Sequence, residues 1–250
     1  MGKDREKMKG IEIWGRDWEN CAKEADFALL PLASFEYHGP MAPVGTDAAL
    51  AMAFAEYAQA RYRCVAYPPV FYTACPNKTK GAPTVSIDPP VMLSYLTNVL
   101  EGIYDSGFSR VLILNAHDGN MGIGRAAAEA VHGDAHTLLV NWWELLTQEE
   151  TERFFAGGGR GHGGPYELSC AWAALGQQAV GDAAYDLPSR KLAGRNVHVE
   201  SKPPNFPRYA GRISAASTQT GREIIKQAFA ALDQAVQTWL AFTAEGGNGQ

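Results

Sequence analysis

The stretch Phe27-Ala-Leu-Leu-Pro-Leu-Ala-Ser-Phe-Glu-Tyr-His-Gly-Pro-Met-Ala-Pro-Val-Gly-Thr-Asp47 decides how the rest of the chain is read. Its first part, Phe27 to Ala33, is an apolar run and predicts a buried strand. Within three residues the chain turns polar and delivers Glu36 and His38, which lie two apart and so point to one side of an extended backbone. Gly39, Pro40, Pro43 and Gly45 then break regular structure and let the chain loop back. Asp47 arrives just as a helical run begins. Two carboxylates and an imidazole at the end of a buried strand suit a borderline divalent metal. A lone Glu-x-His is weak, since most such pairs are surface accidents; the aspartate in a Gly/Pro loop strengthens it.

Working outward, Asp47 to Arg61 is alanine-rich and predicts a helix, and Cys64 to Tyr67 a second strand stopped by Pro68 and Pro69. Phe71 to Ile87, with Pro76, Gly81 and Pro83, reads as loop. Pro89 to Asp105 reads as a helix with proline at its start, where it is tolerated, closed by Ser106-Gly107. Arg110 to Leu114 is a third strand, Met121 to Val131 a helix, and Thr137 to Val140 a fourth strand. This alternation predicts an α/β fold, a mostly parallel sheet with helices on both faces. From Thr218 a last amphipathic helix carries Ile225, Phe229, Leu232, Val236 and Trp239 at steps of four, three, four and three. Met1 to Ala25 is a polar lead-in in which Trp14 and Trp18, four apart, could share a short helix face, in the core or at an oligomer contact. Gly157 to Gly164 is glycine-rich but lacks the phosphate-loop frame and reads as a mobile loop. Glu245 to Gln250 reads as a frayed tail.

Composition narrows the function classes. A chain of 250 residues with 46% hydrophobic content can bury a large core, and one domain over residues 1–250 is the simplest count. With a net charge of −5 and no basic run, nucleic acid and anionic membrane are not expected as partners. The charged start, Met1 to Lys9, lacks the apolar core of a signal peptide, and no apolar run is long enough to span a bilayer. Cys21, Cys64, Cys75 and Cys170 are scattered without CxxC spacing, which fits reduced thiols in a cytoplasmic protein.

Two later segments carry more chemistry. In Leu112-Ile-Leu-Asn-Ala-His-Asp-Gly-Asn120 a strand runs into a sharp turn and then a helix, and ligands in open α/β sheets bind at the carboxyl ends of strands. The plainer reading makes Asp118 and Asn120 ordinary turn and cap residues. In Gly161-His-Gly-Gly-Pro-Tyr-Glu-Leu-Ser169, Glu167 opens an apolar helical run, and the plainer reading is a carboxylate favoured by the helix dipole. His132, His136 and His198 have no carboxylate company and read as structural or solvated.

Together these segments resemble the creatininase, or creatinine amidohydrolase, family. Its patterns are of the form LPxGSxEQHGPHLPxGTD, NGHGGN and HAGxxETS, against Leu30 to Asp47, Asn115 to Asn120 and His162 to Ser169 here. The resemblance runs from Phe27 to Ser169 and continues more weakly into Ala215 to Gly221. It implies a three-layer α/β/α sandwich, assembly as a homo-oligomer (usually a hexamer), and hydrolysis of an amide or other C–N bond in a small molecule by metal-activated water. It also implies one or two divalent metals, among them zinc, manganese and iron. Carried over, Glu36, His38, Asp47 and His117 match ligand positions, with Asp47 bridging two ions roughly 3.5–4 Å apart. His162 matches a proton-transfer histidine, expected to titrate in the working pH range. Trp143, in Asn141-Trp-Trp-Glu144, matches a tryptophan covering the substrate, though a core role reads equally well.

The chain also departs from the pattern. Tyr37 replaces glutamine, Gly161 replaces an acid before the catalytic histidine, and Ala82-Pro83-Thr84 stands where PGT is common. Gly119 stands where creatininase has a glutamate ligand, so the second ion needs another oxygen, from Glu167 or from Asp118. Two alternatives stay open beside C–N hydrolysis: hydrolysis of a ring C–C bond in a cyclic ketone on the same metal platform, and a non-catalytic metal-binding relative.

Overall fold

The computed structural model describes residues 8–75, 83–155, 159–177 and 213–245. Residues 1–7, Pro76 and Gly81 of the predicted loop, Ala82, Gly157, Gly158, His198 and the tail 246–250 lie outside the described residues. Among the described residues five strands form one parallel sheet: β1 (Met8–Lys9), β2 (Phe27–Leu32), β3 (Cys64–Ala66), β4 (Arg110–Asn115) and β5 (His136–Asn141). Their order is β1-β3-β2-β4-β5, so the chain starts at one edge with β1, enters the middle with β2, returns to β3 between those two, then crosses to the other side with β4 and β5. The winding reverses between β2 and β4, and an open α/β sheet offers a crevice at such a reversal.

The helices are α1 (Trp18–Glu24), α2 (Thr46–Arg61), α3 (Pro89–Asp105), α4 (Met121–Ala130), α5 (Gln148–Glu152), α6 (Pro165–Leu175) and α7 (Thr218–Glu245). Alternation along a strand sends successive side chains to opposite faces, and both faces here are apolar. Phe27 and Leu29 of β2, with Leu112 and Leu114 of β4, face α2, α6 and α7 through Leu50, Phe54, Tyr166, Ile224, Ala228 and Leu232. Ala28, Leu30 and Leu32, with Val111 and Ile113, face α1, α3 and α4 through Ala22, Met92, Leu96, Leu100, Ile103 and Ala127. The result is the expected three-layer α/β/α sandwich. No helix of the described residues is long and apolar enough to cross a membrane.

The ends of elements differ from the sequence reading by a residue or two. Strand β4 includes Asn115 and β5 includes His136 and Asn141, polar residues just outside the predicted apolar runs. Trp18 is half-buried against the core, edge-on to Tyr67 with ring centroids 5.8 Å apart, but Trp14 lies ahead of the helix and is 70% exposed, so the two do not share a face. Helices α6 and α7 run against each other at Gly221, where a Cβ would meet the Ser169 carbonyl oxygen at 1.9 Å, so glycine is needed for this approach. The Ser217 N–H donates to Ser169 Oγ at 2.9 Å and fixes the start of α7 on α6.

Candidate metal centre

The register aligns Leu32 of β2 with Asn115 of β4 and Asn115 with Asn141 of β5, so the three central strands end side by side. The loops that follow converge there. Ala33 to His38 leaves β2, and Ala116-His117 leaves β4. Helix α2 enters with Asp47 in its first turn, and α6 enters from the sandwich side with Glu167 in its first turn. Glu36, His38, Asp47 and His117 are all buried, at 5%, 2%, 1% and 7% exposure.

Hydrogen bonds to backbone fix the two central imidazoles. A carbonyl can only accept, so His38 Nδ1 carries the hydrogen it shares with the Glu36 carbonyl at 2.9 Å, and His117 Nε2 the one it shares with the Ala74 carbonyl at 3.0 Å. The opposite nitrogens are left with lone pairs aimed inward. His38 Nε2 faces Asp47 Oδ1 at 2.9 Å and Glu167 Oε1 at 3.8 Å. His117 Nδ1 faces Asp47 Oδ2 at 3.0 Å and Glu36 Oε2 at 3.3 Å. Asp47 therefore offers one oxygen to each imidazole. Glu36 Oε2 and Asp47 Oδ1 receive no hydrogen bond of acceptable angle despite these short approaches.

A lone pair facing a carboxylate oxygen at 3 Å is repulsive unless a cation lies between them. A proton or a metal ion supplies one, and the donor set of imidazole and carboxylate fits zinc, manganese or ferrous iron. The titration of the protein groups points the same way. Burial alone lowers His38, but Asp47 and Glu167 beside it outweigh that and push it up to about 10. His117 is likewise held well above its usual value against burial by Asp47. Burial raises Asp47, yet His38 and His117 keep it well below the usual carboxylate range. Burial raises Glu36 and Glu167. A field that favours charged imidazoles favours a metal cation in their place.

His162 stands beside this group. Its Nε2–H donates to the Tyr37 carbonyl at 2.9 Å, so Nδ1 holds the lone pair, 3.7 Å from Glu36 Oε2. Its ring lies 4.2 Å from that of His38. Burial and the positive His38 lower it to about 4, although a third of its side chain is exposed. The expectation of a histidine titrating in the working pH range therefore gives way to one that is neutral there. The Gly163 N–H donates to Glu167 Oε2 at 2.6 Å from a backbone at φ +61°, which glycine tolerates.

A family model described as creatininase, creatinine amidohydrolase, matches residues 12–236. The chain belongs to the creatininase family. Solved creatininases share its fold: a zinc–zinc variant at TM-score 0.78 and 17% identity, covering 93% of this chain and 98% of that one, and a manganese creatininase at TM-score 0.74 and 16% identity over the same shares. A 3-dehydro-scyllo-inosose hydrolase of Thermotoga maritima is 30% identical over 154 residues, 58% of this chain. The chain spans 46% of that protein's length.

Against the creatininase pattern, Gly119 has a steric cause. A Cβ there would meet His117 Nε2 at 2.5 Å and the Ala74 carbonyl oxygen at 2.6 Å, so the backbone has no room for a side chain. Glu167 is gathered with His38 and Asp47, their ligand atoms within 4.8 Å of one another. Asp118 is exposed and belongs to none of the ligand groups among the described residues. Trp143 is half-buried against the apolar layer of α2 and α7, while its neighbour Trp142 is buried and stacks on Tyr166 with centroids 5.3 Å apart.

Sequence reasoning missed the residues that brace this creatininase-family centre. Ser34 Oγ donates to Asp47 Oδ2 at 2.6 Å. Asn115 Oδ1 accepts from the His117 N–H at 3.1 Å, and its Nδ2 donates to the His117 carbonyl at 2.9 Å and to Asn141 Oδ1 at 2.8 Å. Asn120 Nδ2 donates to the Ala33 carbonyl at 3.0 Å and so ties the two loops together. Such partners set ligand orientation. Ser34, Asn115 and Asn120 lie inside the motif strings, and that was the available signal.

Proposed function

We propose that this chain is a hydrolase that uses two divalent cations to cleave a C–N bond, an amide or cyclic amide, in a small molecule. The observation that carries the proposal is Asp47, buried and turned so that each oxygen meets a different imidazole lone pair. Glu36, Asp47 and His117 would hold one cation, and His38, Asp47 and Glu167 the other. When bound, the cations supply Lewis acidity, acidifying a water and offsetting negative charge on the attacked carbonyl oxygen.

The chain's own groups do the rest. His162 is neutral at pH 7, so its Nδ1 first acts as a base and takes a proton from the attacking water. The protonated imidazole then returns that proton to the leaving nitrogen. Tyr37 holds the ring by its carbonyl, and Glu167, bonded to Gly163, sets the loop on which His162 sits. Trp143 and Asp118 are our candidates for substrate contact.

A second reading is hydrolysis of a ring C–C bond in a cyclic ketone. It is favoured by the relative named a 3-dehydro-scyllo-inosose hydrolase, since an inosose is a carbocyclic ketone and offers no amide. Metal analysis of the purified protein, followed by a screen of lactams, formamides, ureas and cyclic ketones with metal restored, tests both. Protein that binds no divalent ion and turns over none of these classes refutes the proposal. The same reading takes the protein as cytoplasmic and as a homo-oligomer, a hexamer in line with the family. Exposed Ile11, Trp14 and Phe242 provide apolar surface for such contacts, and a monomer by sedimentation refutes that part.

A further inference from the structure

Cys75 is fully buried, yet it packs in neither of the two large apolar clusters. The other cysteines do: Cys64 and Cys170 lie inside one, where burial pushes Cys64 up to about 12 and Cys170 well above its usual value, and Cys21 borders the second. A buried cysteine is usually a small hydrophobe. The surroundings of Cys75 are of another kind. Its sulfur, a Glu36 carboxylate oxygen and a His117 ring nitrogen lie within 4.8 Å of one another. Glu36 Oε2, itself deeply buried, accepts no hydrogen bond. Among the described residues the sulfur's carbonyl acceptors are distant, Thr73 at 3.9 Å and Val85 at 3.8 Å, and the thiol stands against His117. The backbone holds it in place: the Cys75 N–H donates to Ser86 Oγ at 3.0 Å, and the preceding carbonyl, that of Ala74, anchors His117 Nε2.

We infer that Cys75 is a fourth protein ligand at the cation site formed by Glu36, Asp47 and His117. The inference rests on the two-cation reading above and assigns a donor beyond it. On binding, the S–H bond breaks, the proton passes to the buffer, and a sulfur–metal bond forms. The two sites then differ in kind. The one with Cys75 has four protein donors, the closed number for a tetrahedral ion. The other would be held by three protein donors, His38, Asp47 and Glu167, with His162 beside His38. The sulfur also biases the closed site toward zinc or ferrous iron and away from manganese and magnesium, because thiolate is a soft ligand.

Cobalt(II) is the probe. Metal-stripped full-length protein is titrated with cobalt chloride, and its absorption is read in the visible, where the ion's own bands report binding. It is read also in the near ultraviolet, where a strong thiolate-to-cobalt charge-transfer band reports sulfur ligation. The wild type should show both. Cys75→Ser should lose the ultraviolet band and keep visible bands, while Cys64→Ser keeps both. Visible bands without the ultraviolet band in the wild type overturn the assignment of Cys75 and leave the two-cation reading standing, with no variant required. An ultraviolet band that survives in folded Cys75→Ser overturns it equally. If cobalt produces no bands at all, the metal reading itself falls, and Cys75 with it.

Discussion

Replacing Gly119 with alanine should damage the centre without touching any ligand. The new Cβ would stand 2.5 Å from His117 Nε2 and 2.6 Å from the Ala74 oxygen, against about 3.5–4.0 Å for a comfortable contact. Those two atoms are the partners of one hydrogen bond of 3.0 Å, and neither is the loose end of a flexible side chain. Roughly 1 Å must open on each side. Losing a buried hydrogen bond costs about 1–3 kcal/mol and overpacking a similar amount; one displacement relieves both in part, so about 3 kcal/mol is expected. For a chain of this size that is about 6–12 °C in melting temperature, read by circular dichroism on chelated protein. Because Ala74 orients His117, zinc affinity should also fall by roughly 10–100-fold in a chelator competition. Gly119→Glu carries the same Cβ and should fare no better, even though it restores the carboxylate that creatininase uses. If Gly119→Ala melts within about 1 °C of the wild type and binds zinc equally well, the steric account of this position is wrong.

His162→Asn should keep its metal and lose roughly 10²–10⁴-fold in turnover; loss of metal instead would make His162 a ligand. Since His162 is lowered to about 4, the acid limb of the wild-type rate profile should lie well below pH 6.5, and a limb centred near 6.5 contradicts the assignment of the base. Glu167→Gln should lose one metal per chain while Asp118→Asn keeps both, as elemental analysis will report; the reverse pattern moves the ligand to Asp118. In chelated protein, His38 is raised from 6.5 to about 10, so its protonation stabilises the fold fully below about pH 6.5 and that contribution disappears as pH climbs to 10. Melting temperature of the chelated form should therefore drop across this window, and more steeply than that of the zinc-loaded form. Equal slopes would mean that His38 does not face the cation.

Regular elements were legible where pattern and punctuation agreed. The helix Pro89 to Asp105 was read to the residue, because Pro89 marks its start, Ser106-Gly107 its end, and Met92, Leu96, Leu100 and Ile103 mark one face. The strand ends were less legible, since Asn115 and Asn141 are polar. Their side chains serve the site rather than the core, and a hydrophobicity pattern cannot see that. The short elements β1, α1 and α5 have too few residues to carry a period, and α5 is set locally by the capping box of Thr147 and Glu150. Glu36, His38, Asp47, His117, His162 and Glu167 could be nominated because they lie in three compact strings. What bound them together could not. The Ala74 carbonyl and Cys75 act from a separate loop that follows β3, and their roles do not follow from any spacing along the chain. Trp18 and Trp14 show the same limit from the other side: a spacing of four suggested a shared face, and a chain turn between them removed it.

The backbone contact between Gly221 and Ser169 has a consequence for how sequence changes in this protein should be interpreted. Gly221 lies 54 residues beyond Glu167 and on a different helix, yet it sets how closely α7 lies on the helix that carries Glu167. Any side chain at 221 must push the two axes apart, and α6 is fixed at its other end by Trp172 Nε1 donating to the Met41 carbonyl at 3.1 Å, so the separation becomes a tilt. A tilt swings Glu167 away from His38, which it already faces at 3.8 Å. A substitution at this position would thus be scored in a screen as an inactivating lesion of the metal centre, though it lies outside it. Because the atoms met there are backbone atoms of Ser169 and Cys170, no smaller side chain on α6 would suppress it, and neither would a better ligand; a return to glycine would.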